Sequence, residues 1–131
     1  MWKLYSVNTK NAVAIQTTAQ HLHEALGSDQ NILIGKVNYI DYNQRFTSIN
    51  GACWYKRKSF EHEQEVRAIV IDYETSLKGV LIPVDVNTLL DFIYISPYAP
   101  KWFEEVVCSV VGKYGVSCSV VNSDMAKRPF Y

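Results

Sequence analysis

The spacing of apolar residues changes several times along the chain, and each change predicts an element. "AVAIQTT" from Ala12 is β-branched and apolar, the character of a buried strand. "WKLYS" before it reads as a short amphipathic turn with Trp2 and Tyr5 on one side, followed by a polar "NTKN" turn. Thr17 or Thr18 caps a helix over "AQHLHEALG", with Leu22 and Leu26 one turn apart and Gly27 as its stop. "NILIGKVNYI", Asn31 to Ile40, reads as one strand in which Gly35 marks a bulge or a close backbone approach. "DYNQRFTSING" has no apolar period and is the candidate mobile loop. A brief helical turn over "ACWYKRK" and an N-cap at Ser59 lead to a strand over "VRAIVIDY". After a polar "ETSLKG" turn, "VLIPV" reads as an edge strand or strand end, because Pro83 has no ladder donor. Asp85 caps a short helix "VNTLL", and "FIYISP" is a further strand. Pro100 opens the longest helix, "KWFEEVVCSVVGKYG", whose Trp102, Phe103, Val106, Val107, Val110, Val111 and Tyr114 recur at helical spacing until Gly115. "VSCSVV" supplies the last strand. Strand pairs mixed with helices, without a strict βαβ repeat, predict an α+β fold. Its sheet is mixed and largely antiparallel, with three or four helices of which the longest lies near the C-terminus.

Length and charge narrow the function classes. At 131 residues the chain is expected to form a single domain, 1–131, since a second core would leave each half too small to fold unaided. Its 48% apolar content and formal charge of +0 describe a globular protein, with neither nucleic acid nor anionic membrane favoured as a partner. Without a membrane-length apolar stretch or a signal-peptide core in "MWKLYSVNTK", the expected location is the cytoplasm. Cys53, Cys108 and Cys118 form no C-x-x-C and read as reduced thiols in the core or an interface. His21 and His23 point to different sides of a helix and read as surface residues; no metal site is expected.

The run "SFEHEQEVR" carries the candidate chemistry. On a helix, Glu61 and Glu65 would share a face and Glu63 would pair with Arg67, a solvated ion pair. On a strand, all four charges would project from one face, with carboxylates about 7 Å apart that need a cation, a sugar hydroxyl or Arg67 to neutralise them. Extension of "VRAIVIDY" from Val66 puts Glu65 and Arg67 at the strand mouth and Glu61 in a preceding turn, and leaves both a structural and a ligand-binding role open. "WYKRK" offers a base-stacking and phosphate-holding patch against the alternative of a solvated turn, and "SPYAPKWF" an aromatic pocket against ordinary core packing. The chain has no phosphate-cradling glycine loop and no G-x-S-x-G elbow.

Taken together, "MWKLYS", "VAIQTT", "IGKVNYIDY", "YKRKSFEHEQEVRAI", "PVDVNTLLDFIYISPYAP" and "KRPFY" resemble the C-terminal part of a bacterial family catalogued as domain of unknown function 2971. The matching pattern is an aromatic followed by E-x-E-x-R, here Phe60, Glu63, Glu65 and Arg67, with Trp2 and Tyr5 as an upstream W-x-x-Y. The E-x-E at a strand mouth is also similar, more distantly, to the glutamate motif of ADP-ribosyltransferases. That likeness implies a catalytic role for Glu65 on the ribose of NAD, assistance from Glu63, and stacking of nicotinamide on Trp2 or Trp54. It also implies an NAD-anchoring histidine on a first strand, a context that none of His21, His23 and His62 provides. Two functions follow: a binding or interaction module for a small-molecule ligand with a pocket near Glu63, Glu65, Arg67, Trp2 and Tyr5, or an NAD-using transferase or a degenerate remnant of one. Longer members of the family begin with a further segment, so an uncovered "AVAIQ" edge and the Trp2–Leu4–Tyr5 patch are expected to meet a second copy in a homodimer.

Overall fold

The computed structural model describes residues 2–6, 8–26, 31–41, 49–70, 79 and 81–126. In chain order the elements are α1 (Trp2–Tyr5), β1 (Val13–Gln16), α2 (Ala19–Ala25), β2 (Ile32–Lys36) and β3 (Asn38–Ile40). A 3₁₀ turn (Ile49–Trp54), β4 (Tyr55–Arg57), a second 3₁₀ turn (Lys58–Glu63) and β5 (Val66–Val70) follow. Then come α3 (Val86–Leu89), β6 (Phe92–Ile95), α4 (Lys101–Lys113), β7 (Ser119–Asn122) and a 3₁₀ turn (Asp124–Ala126). The fold is α+β, and among the described residues its strands are divided among three small sheets.

The chain forms two compact units, one from Met1–Gly27 with Ile82–Tyr131 and one from Ser28–Leu81. In the first, β6 is the central strand: β1 pairs with it antiparallel (Val13 opposite Ile95) and β7 parallel (Ile95 opposite Asn122). A parallel pair needs a crossover connection, and the 13-residue α4 supplies it, packing against β7. Burial concentrates on β6, where Ile95 is 2% exposed and Ile93 is buried as well. Thr18 is the N-cap of α2, its hydroxyl oxygen accepting the His21 N–H at 3.0 Å. Asp85 caps α3 through the Asn87 N–H and the Thr88 hydroxyl, and these two bonds, Thr88 first, hold its carboxyl below the usual range. Gly115, at φ +64°, takes the left-handed position that ends α4.

Several expected features are corrected. Asn31 to Ile40 is two strands: buried Val37 still donates its N–H to the Glu65 carbonyl opposite it at 2.9 Å, but the Glu65 N–H goes to the Tyr39 hydroxyl at 2.7 Å instead of returning the bond, and β3 pairs with β4. Residues 81–85 form no strand, consistent with the donor that Pro83 lacks. Pro100 is the N-cap of α4, one position before the helix. Ser59 caps nothing, since the 3₁₀ turn begins at Lys58 after Arg57. Cys108 and Cys53 are exposed, and so are Trp102, Val106, Val110 and Tyr114; α4 turns Phe103, Val107 and Val111 inward instead. His21 is half-buried, with Nδ1 3.0 Å from Asp91 Oδ1 though not aligned as a hydrogen bond, because α2 packs this side against α3 and the turn after it. Gly27, residues 42–48 of the polar connection, the end of "VRAIVIDY" and most of "ETSLKG" lie outside the described residues. Among the described residues no helix is long and apolar enough to cross a membrane.

Candidate functional site

The glutamate run adopts neither the helical nor the fully extended form. Glu61 and Glu63 lie on the 3₁₀ turn, Gln64 reverses the chain at φ 46°, and Glu65 stands directly before β5. The left-handed conformation of Gln64 costs about 1 kcal/mol for a residue with a Cβ. It is held by the Glu61 carbonyl, which accepts both the Gln64 N–H at 3.2 Å and its side-chain amide at 2.7 Å. The reversal delivers the Glu65 main chain to the β2–β3 break: its carbonyl accepts from Val37 at 2.9 Å and its N–H donates to the Tyr39 hydroxyl at 2.7 Å. With the backbone fixed at both ends, Glu65 and Arg67 project from the same face two residues apart.

These side chains form a closed ion network. Arg67 donates Nε to Glu65 Oε1 at 2.6 Å and Nη2 to Glu65 Oε2 at 3.3 Å, and Nη1 reaches the Cys53 carbonyl. Lys56, on β4, donates to Glu63 Oε2 at 2.5 Å and to Glu65 Oε2 at 3.1 Å, with its ammonium 4.9 Å from the centre of the Phe60 ring. Two cations face two carboxylates. The Arg67 guanidinium, and after it Lys56, pulls the Glu65 carboxyl down to about 2. The carboxylates in turn raise their partners: Glu63 first and then Glu65 lift Lys56, and Glu65 lifts Arg67. A carboxyl that titrates near 2 takes up protons poorly at neutral pH, and both Glu65 oxygens already accept hydrogen bonds. What this network does well is tie the 3₁₀ turns and β4 to the mouth of β5.

Trp54 packs on the same face of the β2–β5 ladder as Arg67. Gly35, opposite Arg67 in the β2–β5 register, leaves its Cβ space to the indole: a methyl there would stand 2.9 Å from Trp54 Cζ3. Gly35 is therefore a close-approach glycine, and half-buried Trp54 packs against it.

Trp2 and Tyr5 belong to the other unit, together on α1. Trp2 Nε1 donates to the buried Ser123 hydroxyl at 3.3 Å, and the Ser6 N–H and hydroxyl both bond the Trp2 carbonyl, at 2.9 and 2.6 Å. This pins a four-residue helix that would not persist alone. Beside it opens a cleft of about 440 Å³ between Trp2 and Tyr5 on one wall and Ala14 and Tyr94 on the other. Tyr94 stands opposite Ala14 in the β1–β6 register, and its hydroxyl donates to Gln16 Oε1 at 2.9 Å.

The structure thus joins Glu63, Glu65 and Arg67 in one network in the second unit, with Trp54 in that same unit, and gives Trp2 and Tyr5 a cleft in the first. The residues not anticipated are Lys56, which belongs to the network and not to a phosphate-holding patch, and Tyr94 and Ser123, which the sheet brings to α1. No periodicity links Lys56 to Glu65 or Trp2 to Ser123, so only the folded chain reveals them. Searches of family models, curated proteins and solved structures find no match to the chain.

Proposed function

We propose that the chain is a small binding module whose ligand-contacting surface is the aromatic cleft between α1 and the β1–β6 ladder. The observation that carries this reading is an open cleft of about 440 Å³ walled by Trp2, Tyr5 and Tyr94, rings that give a flat ligand large contact area at little entropic cost. The E-x-E-x-R cluster serves as an internal clamp for the second unit. Kinship with the domain of unknown function 2971 family and a cytoplasmic site of action belong to the same proposal. So does a homodimer: among the described strands β1 pairs on one side alone, with Val13 and Ile15 46% and 56% exposed. Pairing of two β1 edges would leave the Ala14–Tyr94 face of the ladder open.

The test follows the Trp2 indole N–H by NMR as flat aromatic fragments are added at millimolar concentration. The expected result is a saturable shift that Tyr94→Ala abolishes; a fragment panel that never moves the Trp2 signal refutes the module. A second reading, an NAD-using transferase, is favoured by the position of Glu65 immediately before β5. Calorimetry separates the two: NAD heat lost on Glu65→Gln and retained in Tyr94→Ala supports the transferase, and no heat at millimolar NAD removes it.

A further inference from the structure

Ser6 lines two clefts at once. One is the aromatic cleft described above; the other, of about 560 Å³, is lined by Lys3, Ser6, Asn8, Thr9, Lys10 and Tyr98. The short α1 explains the junction, since Trp2 and Tyr5 lie on one side of the helix and Lys3 between them in sequence turns to the other. Among the described residues no carboxylate lines either cleft, and neither the Lys3 nor the Lys10 ammonium has an acidic partner. Lys56, by contrast, is paired twice. An unpaired surface lysine is ordinary. Two of them in one concavity, next to hydroxyl and amide donors and with no counter-charge among the described residues, hold a positive field that an anion would relieve.

Resting on the reading of the aromatic cleft as a ligand site, we propose that the joined clefts bind a small molecule carrying one flat aromatic ring and one phosphate monoester. The ring lies against Trp2, Tyr5 and Tyr94, and the phosphate lies between Lys3 and Lys10 with Asn8 as an amide donor. Charge selects the phosphate: a monoester carries close to two negative charges at neutral pH, matching two ammonium groups where a carboxylate would leave one unanswered. Chain size and balance exclude a polyanion, since two cations in a chain of net charge +0 give little of the phosphate neutralisation that nucleic-acid binding needs.

The experiment titrates the full chain with phenyl phosphate, inorganic phosphate and benzyl alcohol, reading the Trp2 indole signal and the heat of binding. Phenyl phosphate is expected to bind at least about tenfold tighter than either half alone, and Lys3→Ser combined with Lys10→Ser to remove that advantage. The double variant should leave benzyl alcohol binding and the free Trp2 signal unchanged, which shows that the fold is intact. Benzyl alcohol and phenyl phosphate binding equally well would overturn the phosphate lobe while leaving the aromatic cleft standing. Inorganic phosphate binding as tightly as phenyl phosphate without moving Trp2 would overturn the joining of the clefts. If none of the three probes binds, the inference fails together with the reading beneath it.

Discussion

Arg67→Ala tests whether the ion network holds the second unit together. The carboxyl of Glu65 is lowered from 4.5 to about 2, a gap worth at most roughly 3.5 kcal/mol at about 1.4 kcal/mol per pH unit. Glu65 and Arg67 side chains are 28% and 29% exposed, so solvent screens the pair well below that ceiling, to about 1 kcal/mol. Removal of Arg67 also takes one hydrogen bond from the Cys53 carbonyl, for about another 0.5–1 kcal/mol. Lys56 remains on Glu65, so the carboxylate is not left uncompensated and the 3–5 kcal/mol cost of a broken buried pair does not apply. The expected loss is about 1.5–2 kcal/mol at pH 7. Because Glu65 titrates lower in the folded chain than in the unfolded one, its contribution is fully present above about 4.5 and drains away as pH falls toward 2. The cost of Arg67→Ala should therefore shrink by about a third between pH 7 and pH 3, since only the ion-pair part of it titrates. Urea melts followed by Trp54 fluorescence, with Trp2 and Trp102 changed to Phe, report this unit alone. A loss below about 0.5 kcal/mol at pH 7, or one that does not vary with pH, would mean the network is a solvated decoration.

Gly35→Ala should destabilise the same unit by about 1–3 kcal/mol, because the new methyl meets the Trp54 indole at 2.9 Å and the ring must leave its seat; a melt unchanged from the parent would show that the indole moves freely. Light scattering at micromolar concentration should give twice the chain mass, and Ile15→Lys, a charge placed on the exposed β1 edge, should give a monomer. A parent protein that is already monomeric removes the homodimer.

Local rules set much of this molecule. The cap at Thr18, the cap at Asp85, the "VAIQ" and "FIYI" strands and the left-handed stop at Gly115 each depend on a few neighbouring residues, so they could be read from the chain directly, whereas the burial expected of "VAIQ" is overturned, all four of its residues being exposed. The position of Glu65 at a strand mouth followed in the same way from where an extended run must begin. Tertiary structure decided the rest. Whether the glutamates are free or bound depended on Lys56, which reaches them from β4 across a reversal at Gln64 that no periodicity encodes. Likewise the even helical stripe of α4 could not say which half would face β7, because its apolar residues span more of the circumference than one packing partner covers. Val37 ends a strand that composition makes continuous, since the N–H of Glu65 opposite it is taken by the Tyr39 hydroxyl. Short-range geometry is written in adjacent residues, whereas charge pairing and burial depend on which distant segments the fold brings within a few ångströms.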